Sequence, residues 1–143
     1  MKKEEIEQLN DATLATWDAG DADAFAEFLA DDVVWYDWTL PEPLHGKAAA
    51  KAYFAGLTTA FPDMRTKTVV AVVGDDAVAT EVEWTGTNTG PLAMGGTELP
   101  PIGKTVTGRG SYIARVRDGK VVEFRAYQDA IGLMGQLGLL PQG

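Results

Sequence analysis

The sequence predicts an α+β fold in which a curved, mostly antiparallel sheet covers its apolar face with helices. Helical periodicity dominates the first half of the 143-residue chain, and alternating strand patterns dominate the second half. The sequences Gly74-Asp75-Asp76 and Asp118-Gly119 each join two strand patterns and are typical of tight hairpins. Hairpins make neighbouring strands antiparallel. The predicted order of elements through the last strand is α-α-β-α-β-β-β-β, and a short helix follows it.

Four helices are predicted from their apolar stripes and from the residues that end them. They cover residues 3–19, about 22–30, about 47–60 and about 130–137. The first is followed by Gly20 and the last by Gly138, and glycine commonly ends a helix in the left-handed conformation. The third stops before Pro62, which cannot continue a helix.

Strands are predicted where β-branched and aromatic residues alternate with polar ones. They cover residues 33–38, about 64–73, about 77–88, about 104–117 and about 120–128. Residues 89–103 are rich in glycine and proline and form a predicted long loop, and such loops are usually functional. The sequence shows no internal repeat and no change in amino-acid composition along its length, so we expect one domain over 1–143.

Composition excludes several classes of protein. No apolar run reaches the roughly 18 residues of a membrane helix, and no signal peptide is recognisable, so we expect a soluble cytoplasmic protein without a membrane partner. The net charge of −9 argues against a nucleic-acid partner. Without cysteine, and with His45 as the single histidine, we expect no metal site, and no glycine-rich phosphate loop indicates a cofactor.

Strand alternation assigns side chains to an inner and an outer face. On the last strand Val122, Phe124 and Ala126 share the predicted inner face, and Val121, Glu123, Arg125 and Tyr127 share the outer face. The predicted inner face also holds the small residues Gly108, Gly110 and Ala114 and the polar residues Asp37, Asn88, Tyr112 and Gln128. Small residues either leave a cavity or bend the sheet. An apolar cavity with few polar groups is typical of a small-molecule site.

Three segments resemble the SnoaL-like polyketide cyclase branch of the NTF2-like superfamily. They are LADDVVWYDWTLPEPLHG at 29–46, WTGTNTGP at 84–91, and RVRDGKVVEFRAYQDAIGLMGQLGLLP at 115–141. The resemblance implies a cone-shaped fold, a sheet wrapped around helices and a deep apolar cavity. It also implies a homodimer formed through the sheet, and cofactor-free cyclase, lyase or isomerase chemistry on a small apolar carbonyl compound. The superfamily uses one fold for many reactions, so the reaction must be argued from the site.

Asp37 is the first candidate for catalysis, as a general base. An apolar cavity disfavours a charged carboxylate, which can then accept a proton near neutral pH. The segment ADDVVWYDW also resembles ketosteroid isomerases, whose proton-shuttling aspartate falls at Asp37 and whose oxyanion donor falls at Tyr112. The partner tyrosine of those enzymes falls at Thr13, which cannot replace it. Alternatively, Asp37 is a structural carboxylate that binds the loop over 39–46.

Asp129 is the second candidate for catalysis. In the similar cyclases an acidic residue on the last strand and a histidine on the preceding strand transfer protons. The resemblance places the acid at Asp129 or at Ala126, and the histidine at Tyr112. Alternatively, Asp129 is the N-cap of the last helix.

The remaining candidates are predicted to bind the substrate. They are Trp17, Trp35, Trp38, Trp84, Asn88, Gly108, Phe124, Ala126 and Gln128. The tryptophans either line the cavity or pack in the core. Asn88 stands where the family often has a histidine, and it either donates to a ligand carbonyl or caps the turn at Gly90-Pro91.

Other functions remain open at this point. The same cavity would serve a non-catalytic binding protein, and the missing family residues also allow for a redesigned scaffold. An epoxide hydrolase of this superfamily needs an Asp-Arg-Asp set in the cavity, and Arg125 faces outward by alternation. The cavity is expected to open near 36–44 and 89–103. Exposed Ile113, Tyr127 and Val121 are expected at the dimer interface.

Overall fold

The protein, described here by a computed structural model over residues 1–94 and 97–141, has four helices and eight strands within those ranges. The helices are α1 (Lys3–Ala19), α2 (Ala22–Glu27), α3 (Lys47–Ala60) and α4 (Ala130–Leu137). The strands are β1 (Leu29–Asp37), β2 (Leu44–His45), β3 (Arg65–Val73), β4 (Ala77–Thr87), β5 (Leu92–Met94), β6 (Thr97–Leu99), β7 (Thr105–Arg117) and β8 (Lys120–Gln128).

Six of these strands form one sheet in the order β2-β1-β8-β7-β4-β3. Every neighbouring pair is antiparallel except β1 and β8, which run parallel. Helix α1 packs against β3 and β4, α3 against β1, and α4 against β7. The predicted α+β architecture with a curved, mostly antiparallel sheet is confirmed.

Local signals decide where the helices end. Gly20 adopts φ 64° after α1, and its N–H donates to the carbonyls of Thr16 and Trp17, as a left-handed cap does. Helix α2 is shorter than predicted, because residues 29–32 already belong to β1. The Phe28 carbonyl, just before β1, accepts from the Val121 N–H at 2.8 Å, so pairing with β8 takes over the backbone there.

An aromatic core fills the space between the helices and the inner face of the sheet. The rings of Phe25 and Phe54 stack with centroids 4.4 Å apart, and Trp17 lies 4.3 Å from Phe54. Trp35 reaches the same cluster from β1 and lies 4.6 Å from Phe124 on β8. Full burial of each such side chain contributes about 1.5–3 kcal/mol to folding.

The predicted alternation holds along β7 and fails at the start of β8. The even-numbered residues of β7 face inward, and so do Phe124 and Ala126. The pairing of β7 with β8 shifts between Arg115 and Val116. This irregularity turns Val121 inward, where it is 3% exposed, so the prediction that Val121 lies on the outer face is wrong.

The predicted loop over 89–103 contains regular structure. Strands β5 and β6 pair as a small antiparallel sheet, although a loop without strands was expected. Leu92 is buried in the second cluster of core residues, beside Phe61 and Val106. The segment is therefore anchored to the core by an apolar side chain that periodicity did not reveal.

No helix in the two described ranges combines the length and the apolar character needed to cross a membrane.

Candidate functional site

A partly open cavity of about 120 Å³ lies between the helices and the sheet. This volume is roughly ten times the minimum that one water molecule requires. Of the predicted binding residues, Trp17, Trp35, Trp84, Phe124, Ala126 and Gln128 line it. Tyr112, predicted as catalytic, also lies on the wall. The arrangement is an apolar chamber with few polar groups, as ligand sites commonly are.

Other lining residues were missed by the sequence analysis. The apolar ones are Leu14, Leu57, Phe61, Met64, Leu92 and Leu133. All but Leu92, which lies on β5, come from helices and loops, whose side-chain directions depend on packing rather than on strand alternation. Of the two loops expected at the opening, 89–103 contributes Leu92 and 36–44 contributes nothing to the wall.

Three predicted binding residues, Trp38, Gly108 and Asn88, do not line the cavity. Trp38 follows the last residue of β1, so alternation directs it outward, where it is 58% exposed near Tyr36 and Tyr127. Gly108 is covered by the indole of Trp84, and a Cβ on Gly108 would lie only 2.1 Å from Trp84 Cε2. The glycine therefore accommodates a tryptophan ring and does not create free space.

Asn88 holds the chain around it. Its Nδ2 donates to the carbonyls of Ala60 at 3.2 Å and Gly90 at 3.0 Å, and its Oδ1 accepts from the Ile102 N–H at 2.8 Å. The side chain is buried and does not contribute to the cavity wall. This geometry matches the turn-capping alternative and leaves no free donor of Asn88 for a ligand.

Asp37 is buried at the end of β1 and accepts four hydrogen bonds. Its Oδ1 accepts from the Thr39 N–H at 3.0 Å and from the Thr39 hydroxyl at 2.6 Å. Its Oδ2 accepts from the Tyr53 hydroxyl at 2.7 Å and from Gln128 Nε2 at 2.9 Å. The carboxylate does not itself line the cavity, but Gln128 does. The side chain of Gln128 thus connects Asp37 to the cavity wall.

Tyr53 was missed because it lies on α3, 16 residues from Asp37. Burial raises the pKa of Tyr53 well above its ordinary value, and the negative charge of Asp37 raises it further. The phenol therefore stays protonated and donates to the carboxylate. A tyrosine on a helix of mostly apolar residues carries no sequence signal for this pairing.

Tyr112 belongs to a separate buried network. Its hydroxyl donates to Asn10 Oδ1 at 2.5 Å, and Asn10 Nδ2 donates to the Thr80 hydroxyl at 3.2 Å. Burial raises the pKa of Tyr112 to about 12, so the group is a neutral donor at physiological pH. Its ring stacks on Phe124 with centroids 4.7 Å apart and forms part of the cavity wall.

Asp129 caps helix α4. Its Oδ1 accepts from the Gly132 N–H at 2.8 Å, and the side chain does not line the cavity. The structure agrees with the capping alternative for this residue. Within 1–94 and 97–141, no group of three or more histidine, cysteine or acidic side chains is arranged to bind a metal ion.

The indole N–H of Trp35 is buried and has no hydrogen-bond partner within the described ranges. An unpaired buried donor is unfavourable by about 1–3 kcal/mol. Trp35 is part of the cavity wall, but this nitrogen itself is buried and is not accessible from the cavity.

Comparison with known proteins found a matching family model and similar solved structures. The family model of SnoaL-like polyketide cyclases matches residues 7–137. A search of curated proteins gave no match. The structure is similar to AclR of Streptomyces galilaeus, a candidate hydroxylase, with 25% identity and a TM-score of 0.83, covering 99% of this chain and 86% of that one.

Two further solved structures have the same fold. A candidate SnoaL-like polyketide cyclase from Jannaschia sp. CCS1 has 22% identity and a TM-score of 0.79, with 99% of each chain covered. IdmH of Streptomyces antibioticus, a candidate polyketide cyclase, has 25% identity and a TM-score of 0.74, covering 92% of this chain and 97% of that one.

Proposed function

Because the chain belongs to the SnoaL-like polyketide cyclase family, we propose that it binds a small apolar carbonyl compound in the cavity and catalyses cofactor-free proton transfer on it. The observation that carries this proposal is the position of Asp37. It is the only buried carboxylate within the described ranges, and it is hydrogen-bonded to a residue of the cavity wall. A proton acceptor beside an apolar chamber is what cyclase or isomerase chemistry requires.

In this proposal Asp37 accepts the proton from a carbon next to the substrate carbonyl. Gln128 and Tyr53 both bind the same carboxylate oxygen, so the substrate must displace one of them to reach it. Tyr112 donates to the developing enolate oxygen by exchanging its bond to Asn10.

A non-catalytic binding protein is the second candidate function. It is favoured by the four donors that already surround Asp37, because a carboxylate so fully bound is a poor proton acceptor until a donor leaves. Asp129 strengthens this alternative, since it caps a helix and is not free for chemistry.

The epoxide-hydrolase alternative has little support. No aspartate or glutamate contributes to the cavity wall in the described part of the chain. Arg125 lies over the ring of Tyr36 at 4.3 Å and pairs with Glu123 at 2.8 Å, away from the wall. The carboxyl pair and the arginine that this reaction needs are therefore not assembled.

A homodimer formed through the outer face of the sheet accompanies the proposed function. Ile113, Tyr127 and Trp38 are 41%, 47% and 58% exposed, and Tyr127 lies 6.2 Å from Trp38. Val121 is buried and leaves this surface. Such an apolar and aromatic surface is suited to self-association. Sedimentation at micromolar concentration should show a species of twice the monomer mass, and a monomer would contradict the proposal.

The replacement Asp37→Asn tests the catalytic role. It keeps the shape of the side chain and removes the proton acceptor, so turnover of a substrate should fall by about two to four orders of magnitude with binding retained. The matched control is Asp129→Asn, which should leave turnover unchanged, since asparagine also caps helices. Unchanged turnover in Asp37→Asn would contradict the role of Asp37 as general base. No turnover by the unmodified protein, with binding present, would favour the non-catalytic alternative.

A further inference from the structure

The side-chain amide of Gln128 has a defined orientation because of its partner. Gln128 Nε2 lies 2.9 Å from Asp37 Oδ2, and Asp37 also binds donors of Thr39 and Tyr53. An ionised carboxylate only accepts hydrogen bonds, so the nitrogen of the amide, and not its oxygen, must face it. Reversing the amide would set two oxygens against each other. Asp37 therefore fixes which end of the amide is free.

The free end of this amide is a hydrogen-bond acceptor that belongs to a residue of the cavity wall. Within the described ranges no protein donor binds Gln128 Oε1, and only Nε2 has a protein partner. Gln128 faces Gly110 across the two strands, where a Cβ would lie 3.7 Å from Gln128 Cγ. A Cβ at Gly110 would also lie only 2.9 Å from the Tyr127 carbonyl oxygen, so glycine here allows β8 to approach β7 closely beside Gln128.

Three other polar side chains on the wall already have partners. The Thr66 hydroxyl donates to Asp18 Oδ1 at 2.8 Å, and Arg109 pairs with Glu83 at 3.3 Å. The Tyr112 hydroxyl donates to Asn10. Ser111 is exposed, and its neighbours on β7, Gly110 and Tyr112, supply the inward face. Gln128 Oε1 is thus the oriented acceptor that remains for a ligand.

We propose that Gln128 is the specificity-determining residue of the cavity and that it selects ligands carrying an enolic or phenolic hydroxyl. This inference rests on the proposed binding function and names the class of ligand. The apolar body of the ligand packs on Phe124 and Ala126, and its hydroxyl donates to Gln128 Oε1. The second N–H of the amide accommodates an adjacent carbonyl oxygen, so an enolised carbonyl compound uses both groups.

The test compares two probes of nearly equal size and shape, 2-naphthol and 2-methylnaphthalene. Their dissociation constants are measured by quenching of tryptophan fluorescence for the unmodified protein, for Gln128→Met and for the control Gln8→Met. Gln8 is exposed on α1 and does not line the cavity. Methionine keeps the length of the side chain and removes the acceptor.

The preference for 2-naphthol over 2-methylnaphthalene should fall roughly 3- to 10-fold in Gln128→Met, the range for one hydrogen bond, and should be unchanged in Gln8→Met. If both probes bind and the preference does not change, this inference is overturned while the binding function stands. If neither probe binds the unmodified protein, both proposals fail.

A second measurement needs no variant. The side-chain amide resonances of Gln128 in a ¹⁵N spectrum should shift on addition of 2-naphthol and should shift much less on addition of 2-methylnaphthalene. Equal shifts with the two probes would overturn the inference even where Gln128→Met fails to fold.

Discussion

The hydroxyl oxygen of Tyr53 lies 2.7 Å from Oδ2 of Asp37, which joins the middle of α3 to the end of β1. A phenol and a carboxylate form a charge-assisted hydrogen bond, which is stronger than a bond between neutral groups. The pair also turns Asp37 from an isolated buried charge into a satisfied one. The hydrogen bond between Tyr53 and Asp37 thus links α3 to β1 beside the cavity.

Replacing Tyr53 by phenylalanine should lower the free energy of unfolding by about 1.5–3 kcal/mol, because it removes one donor from a buried carboxylate. Urea denaturation followed by circular dichroism measures the change. The matched control is Tyr127→Phe, at an exposed position where the change should stay within about 0.5 kcal/mol. Equal effects of the two replacements would show that the Tyr53 bond contributes nothing specific.

Stability should decrease in alkaline solution because of the two buried tyrosines. Burial raises the pKa of Tyr112 to about 12 and that of Tyr53 further, from an ordinary value of 10.0. As pH rises above about 10 the unfolded chain loses these protons first, so each group lowers the free energy of unfolding by up to about 1.4 kcal/mol per pH unit. Below pH 10 the stabilising contribution of the two buried tyrosines is fully present.

Urea denaturation at pH 9, 10 and 11 measures this slope. In Tyr112→Phe the decrease between pH 10 and 11 should be smaller than in the unmodified protein, because one of the two linked protons is absent. An identical slope in the two proteins would contradict the burial argument for Tyr112.

Gly108→Ala should destabilise the fold by about 1–3 kcal/mol, because the new Cβ would collide with the indole of Trp84. Gly56→Ala is the matched control, since Gly56 lies in α3 and a Cβ added there would meet no atom within 4 Å outside the backbone of its own helix. That change should stabilise the protein by about 0.5–1 kcal/mol, as alanine favours helices. If Trp84 packs on Gly108, thermal unfolding should show a lower melting temperature for Gly108→Ala and a higher one for Gly56→Ala.

Ala126→Leu should fill part of the cavity and weaken binding of an apolar probe while the protein stays folded. Ala126 lies on the cavity wall, and it pairs with Tyr112 in the register of β7 and β8. The control Ala79→Leu adds the same atoms at an exposed position of β4. Loss of 2-naphthol binding in Ala126→Leu alone is the expected result, and equal binding in both variants would mean that this part of the wall is not used.

Much of the fold follows from local patterns. The bounds of α1, α3, α4 and β8 agree with the predicted ranges, because apolar periodicity, glycine caps and hairpin turns are properties of neighbouring residues. Strand alternation also placed Asp37, Tyr112 and Ala126 on the inner face, since the side-chain period of a strand is local. The start of β8 was misassigned because the shift in its pairing with β7 depends on both strands.

The composition of the site was decided by packing between distant segments. Whether Gly108 opened a cavity or received a ring depended on Trp84 of the neighbouring strand. Asp37 looked like a carboxylate in an apolar chamber, and only the assembled structure brought Tyr53 and Gln128 to it. The sequence by itself determined the four helices, the long strands, most of the inner faces and the family. The tertiary structure alone decided which polar atoms are satisfied, because hydrogen-bond partners come from elements that the chain order keeps far apart.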